Sequence, residues 1–139
     1  LQIALEPRPQ STTGWIPLTL ATLGAQLVRE EDVERKRRLV LEFVTGYSVT
    51  EPRHRRSLVV QRPDLDVGPW SALIGGLAEH CAFWDEYPVP DWSYEPARFL
   101  TQAWYLDDGV RMRRRARLGS PAAFARRLVF LDPSDLVRV

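Results

Sequence analysis

The chain has 139 residues, a net charge of +1 and 45% hydrophobic content, which fits one domain that buries roughly two-thirds of its unfolded surface. Cys81 is the only cysteine, so an internal disulfide is excluded and folding must rest on an apolar core, as suits a reducing compartment. No stretch approaches the roughly 18 unbroken apolar residues of a membrane span, and the opening LQIALEPRPQ lacks the basic-then-apolar order of a secretory signal; a cytoplasmic protein with no membrane contact is expected.

In chain order, LQIALEP alternates apolar and polar residues as a short strand does, and PRPQSTTG reads as a linker. Residues 1–17 are therefore an arm, with the domain proper over 18–139. Leu20, Leu23, Leu27 and Val28 fall at helical spacing, with Thr19 placed to cap the free amides of the first turn. Asp32 caps a second helix with Leu39, Val40, Phe43, Val44 and Tyr47 inward, Glu34, Arg35, Arg38 and Glu42 outward, and Gly46 near its end. Pro52 to Val60 suits a short helix that has proline in its first turn.

The best helix follows Gly68-Pro69, where Trp70, Leu73, Ile74, Leu77, Ala78 and Cys81 keep a 3.6-residue period. Gly75 and Gly76 each weaken a helix by about 1 kcal/mol relative to alanine, and their missing side chains would admit a close neighbour. Prolines at 88 and 90 make YPVPDWSY an aromatic loop. A short helix carrying Phe99, Leu100, Ala103 and Trp104 is expected after Pro96, then a turn at Asp107-Asp108-Gly109. Helix is expected again over 111–118 and from Ser120-Pro121 to about Arg127, with a short strand at 128–131 and a turn at 132–135. No strand-helix alternation appears, so the fold class is mainly α: a compact bundle of five to seven short helices with a strand-like N-terminal arm.

Catalytic apparatus is hard to find. His54, His80 and Cys81 fall short of the three or four ligands of a zinc site, and His80 and Cys81 would point about 100° apart on a helix. Cys81 belongs to an apolar stripe, where burial raises a thiol pKa. A Cys81–His54 pair, or the acidic turns Asp85-Glu86 and Asp107-Asp108, would be the sites of an unrecognised enzyme; no nucleophile elbow or phosphate loop is present. The reading favours a non-catalytic domain with no metal and no cofactor.

Two surface features remain. Trp84, Tyr87, Trp92, Tyr94, Trp104 and Tyr105 form an aromatic set on and around a proline-stiffened loop, a composition typical of interface anchors. The alternative is that they plug the side of a small core. The second feature is charge. All but Lys36 of the 19 basic residues are arginine, a bias that GC-rich codon usage also produces. From Pro63 to Val110 nine acids oppose Arg98 alone, whereas Arg111, Arg113, Arg114, Arg115, Arg117, Arg126 and Arg127 form a block without an acid. That block would suit nucleic-acid phosphates, an acidic protein partner, or the acidic block itself, within one molecule or across two.

PARFLTQAWYL and SPAAFARRLVFLDPSDLVRV resemble a small actinobacterial family whose members end in similar "SPAAFRRRGIF…DL" sequences. The resemblance covers roughly residues 18–139 and is most specific over 70–80, 96–106 and 120–136. In that family a helix-turn-helix of the Xre type often precedes the domain, and LQIALEPRP looks like the strand that closes one. The resemblance implies an antitoxin-like transcriptional regulator, encoded beside a nucleotidyltransferase-type toxin that it neutralises by occlusion. The chain opens at Leu1, so the natural product is expected to extend upstream. DNA would then be bound through that upstream domain or through the basic segment, and pairing into a homodimer stays open.

Overall fold

The computed structural model describes residues 16–107 and 109–136. The arm expected over 1–17 thus falls almost wholly outside the described residues. Helix α1 (Leu20–Arg29) opens with a reciprocal cap: the Thr19 hydroxyl accepts from the Thr22 amide, and the Thr22 hydroxyl accepts from the Thr19 amide. Two orphan donors of the first turn are satisfied together. Leu20, Leu23 and Leu27 are buried, but Val28, expected beside them, is 59% exposed because it lies one step around from Leu27.

Helix α2 (Val33–Val49) starts from Asp32, whose carboxylate accepts from the Arg35 amide at 3.3 Å. Val40, Phe43, Val44 and Tyr47 face the core, while Glu34, Arg35, Arg38 and Glu42 are exposed, as the spacing predicts. The helix runs past Gly46, where an end was expected. Its last carbonyls are satisfied from outside, because Arg55 donates to the carbonyls of Tyr47, Ser48 and Thr50 at 3.1, 2.8 and 2.9 Å. Arg55 itself closes the short α3 (Pro52–Arg55), which continues as a 3-10 turn over Arg56–Leu58.

Helix α4 (Gly68–Asp85) is the axis of the molecule. Ser71 through Ala78 are buried without a break, so this helix is enclosed on nearly every side. It ends at Glu86, which takes a left-handed conformation with φ 58°. Leu73, Ile74 and Leu77 join Phe43, Leu20, Leu23 and Phe124 in one apolar cluster, each side chain contributing roughly 1.5–3 kcal/mol by leaving water.

The helix expected from Pro96 to Trp104 does not form. A single 3-10 turn (Pro96–Arg98) gives way to extended chain and to strand β1 (Trp104–Tyr105). Its amides bond across the fold instead: Leu100 to the Arg127 carbonyl, Trp104 to that of Leu128 and Leu106 to that of Phe130. Strand β2 (Val129–Phe130) therefore lies parallel to β1, Trp104 opposite Val129 and Tyr105 opposite Phe130. The crossover between them carries α5 (Val110–Gly119) and α6 (Ala122–Ala125). Helix α6 stops at four residues and not at Arg127, and Ser120 does not cap it. The Ser120 hydroxyl donates to the Ala116 carbonyl and accepts from the Leu131 amide. A 3-10 turn over Pro133–Leu136 follows.

The described residues thus form a mainly helical bundle of six α-helices with one two-stranded parallel pair. Among them no helix is long and apolar enough to cross a membrane. The expected close approach at Gly75 and Gly76 is present. A Cβ at Gly76 would fall 2.5 Å from the Phe124 ring of α6, and one at Gly75 would fall 2.8 Å from Cβ of Arg98. Around Gly75 the chain packs two arginines with no exposed surface, Arg98 and Arg127. Arg98 donates to the carbonyls of Leu65 and Pro63 and to the Ser71 hydroxyl, and lies over the Trp92 ring. Hydrogen bonds and counter-charges of this kind are what a buried guanidinium requires.

Candidate partner-binding groove

Between α2, the C-terminal half of α4 and the turn Pro133–Leu136 lies a groove of about 460 Å³, within the size range of sites that accept a small molecule or an anchoring side chain. Buried Phe43, Val44, Leu77 and Cys81 line its depth, whereas Trp84, Pro121, Pro133 and Leu136 line its less buried parts. The 3.6-residue repeat of α4 brings Leu77, Cys81 and Trp84 to one side, and the repeat of α2 brings Phe43 and Tyr47 opposite them.

One polar cluster interrupts this apolar lining. The Tyr47 hydroxyl donates to the Asp85 carboxylate and lies 3.0 Å from the Tyr87 hydroxyl. Arg55 donates to the other oxygen of Asp85 at 3.2 Å. Burial, reinforced by the neighbouring thiol and carboxylate, drives both phenols well above their ordinary values. Burial likewise pushes the Cys81 thiol up to about 12, so at neutral pH it stays protonated and unreactive. His80 is lowered by the same desolvation and is held neutral. With Asp85 committed to Arg55 and Tyr47, the cluster ties the end of α2 to the end of α4. The arrangement offers shape, apolar area and a few fixed polar groups in preference to an activated nucleophile.

The aromatic set expected to act together is divided. Trp84 is 68% exposed, and Phe83 beside it, which the sequence reading passed over, is 71% exposed. The signal for Phe83 was available: it is a large apolar residue off the buried stripe of α4. Tyr87 is half-buried in the polar cluster. Tyr94 is exposed. Trp92 is not an accessible anchor: it is buried, its indole donates to the Val60 carbonyl at 3.2 Å, and it carries Arg98 on its face. Its loop has folded inward to supply a lid for the buried guanidinium. Trp104 and Tyr105 are half-buried and line a separate cleft.

The arginine block is divided too. Arg127 has no surface to offer a phosphate. It donates to Glu79, to the Ala123 carbonyl at 2.7 Å and to the Ser93 carbonyl at 2.8 Å, and lies 4.5 Å over the Phe99 ring. Arg126 pairs with the same Glu79 at 3.2 Å, and Arg115 pairs with Asp132 at 3.0 Å. The Ser134 amide, with Arg115 assisting, holds the Asp132 carboxyl below its usual range. Arg111, Arg113, Arg114, Arg115 and Arg117 remain exposed along α5. Among the described residues the two charge blocks meet through Glu79. The other paired acids of the first block turn to Arg37, Arg55, Arg62 and Arg98.

Comparison with protein-family models, curated proteins and solved structures finds no match.

Proposed function

We propose that this chain is the non-catalytic, protein-binding domain of an antitoxin-like bacterial transcriptional regulator, which neutralises a cognate nucleotidyltransferase-type toxin by occlusion. The observation that carries the reading is Trp84, which lines an apolar groove of about 460 Å³, with Phe83 packed beside it, both more than two-thirds exposed. Their rings stand 5.7 Å apart, edge to face. Leaving two large aromatics in water at a helix end costs solubility and gains nothing for the fold, whereas aromatics of this kind anchor protein interfaces. The protonated Cys81 and the committed Asp85 also favour a binding role over a catalytic one. The toxin itself comes from the resemblance of residues 96–106 and 120–136.

The test is co-expression with the product of the neighbouring gene, followed by size-exclusion chromatography with light scattering. The expected result is a stoichiometric complex that Phe83→Ser and Trp84→Ser each weaken by roughly thirtyfold or more, as removal of a central anchor does. A chain that elutes alone at micromolar concentration, or a complex indifferent to both substitutions, overturns the reading.

A further inference from the structure

A second cleft, of about 330 Å³, lies on another part of the molecule and is lined by Trp70, Trp104 and Tyr105 together with Arg37 and Arg113. Aliphatic Val33, Ala103 and Leu106 complete its walls between the rings and the cations. Trp70 and Trp104 pack edge to face with ring centroids 5.0 Å apart, Lys36 stands 5.5 Å over Trp70, and the Arg113 guanidinium lies 5.0 Å over Tyr105. Arg117 donates to the Tyr105 hydroxyl at 2.8 Å and reaches over the Phe130 ring. Behind this rim stands α5, which presents Arg111, Arg113, Arg114, Arg115 and Arg117 to solvent and contains no acid.

We infer that this cleft binds single-stranded nucleic acid, holding an unstacked base among Trp70, Trp104 and Tyr105 and the adjoining phosphates on the arginines of α5. Each ingredient has a physical reason. A base offers a π-face whatever its identity, so aromatic rings and guanidinium planes accept it without reading sequence. In a duplex those faces are already covered by neighbouring pairs, and a concave site of this volume admits one base with its sugar and not a stacked pair. The cations are available in part. Arg115 is matched by Asp132 and Arg37 by Glu34 and Asp107, while among the described residues Lys36, Arg111, Arg114 and Arg117 make no ion pair. Asp107, 3.7 Å from the lining Arg37, opposes a phosphate on that side, which directs the strand along α5 and away from α2. The site is smaller than the arginine run suggests, since Arg126 and Arg127 are turned to Glu79. It stands or falls independently of the groove beside Trp84.

The experiment is fluorescence anisotropy with labelled oligothymidylate and oligouridylate of about ten nucleotides, and with a duplex of the same length. Both single strands are expected to bind, to weaken roughly tenfold between about 50 and 200 mM salt, and to bind several-fold more tightly than the duplex. Tyr105→Leu and Trp104→Leu, checked for folding by circular dichroism, should each lose roughly tenfold. Arg114→Gln should weaken binding, and Arg53→Gln, which removes the same charge from α3, should not. Because Trp104 packs on Trp70, a Trp104→Leu chain that fails to fold leaves the test to Tyr105→Leu and to quenching of tryptophan emission in the unaltered protein. Absence of binding at low salt, equal affinity for duplex with no effect of the aromatic substitutions, or equal losses for Arg114→Gln and Arg53→Gln would each overturn the inference.

Discussion

His80 stands 5.6 Å from the Phe124 ring and 6.3 Å from that of Trp84, on a helix whose preceding two turns are fully buried. Desolvation there disfavours the imidazolium and lowers the pKa below its ordinary 6.5. The sign of the consequence follows from proton counting. Between the folded and unfolded pKa values the unfolded chain binds more protons, so stability rises with pH across that window and is lost as the solution is acidified below 6.5. Melting temperature is therefore expected to fall from about pH 7 to about pH 5, with carboxylate titration adding to it only at lower pH. Replacing His80 with Phe, which suits the aromatic surroundings, should flatten the profile in that interval. A His80→Phe chain with an unchanged slope would show that the imidazole protonates without resistance. Arg98 and Arg127 belong to the same scale with a different solution, since there the enclosed guanidinium bonds to carbonyls and carboxylates through its terminal nitrogens and leaves only Nε without a partner.

At the scale of elements, the approach of α6 to α4 depends on an absent side chain. Alanine at Gly76 would place a Cβ 2.5 Å from the Phe124 ring, closer than carbon atoms tolerate, and Phe124 is itself enclosed and has no room to withdraw. Alanine also gains about 1 kcal/mol of helix propensity over glycine, so the two effects compete. Overpacking of a rigid ring costs about 1–3 kcal/mol, and Gly76→Ala should be net destabilising, read as a lower urea midpoint with an unchanged slope. A midpoint that rises would mean that α6 shifts freely. These same glycines show why some elements were legible and others not. α1, α2 and α4 announce themselves because ten or more residues keep one period, and α1 and α2 add local N-caps at Thr19 and Asp32. The run from Pro96 to Trp104 carries apolar residues at spacings that suit helix or strand, and its backbone partners lie at 127–130, beyond the reach of a local pattern. Gly46 misled for a related reason, since Arg55 satisfies the end of α2 from another element. Trp92 read as a loop aromatic, which it is, but the guanidinium it shields has no local signature.

For the molecule as a whole, the question is whether the last quarter of the chain is an appendage or part of the core. Phe124, Val129 and Leu131 belong to the same apolar cluster as Leu20, Phe43 and Leu77. Arg127 and Arg126 supply the charge that Glu79 faces from the middle of α4, and β2 takes up the amides of β1. A chain ending after Asp107 would lose all three at once. The Gly76 surface of α4 would face water, Glu79 would lose both paired arginines, and Trp104 and Tyr105 would have no strand to pair with. The helices α1, α2 and α4 would keep their periodicity, and α1 and α2 their N-caps, so helical content should persist while fixed packing does not. The expected outcome is retained far-ultraviolet circular dichroism with a weakened near-ultraviolet tryptophan signal, increased binding of a hydrophobic dye and a broad thermal transition. A truncated chain that melts sharply with its near-ultraviolet signal intact would instead place an independent core in α1–α4. The C-terminal segment would then be a cover over it, free to leave when a partner claims the groove that Pro133 and Leu136 now border.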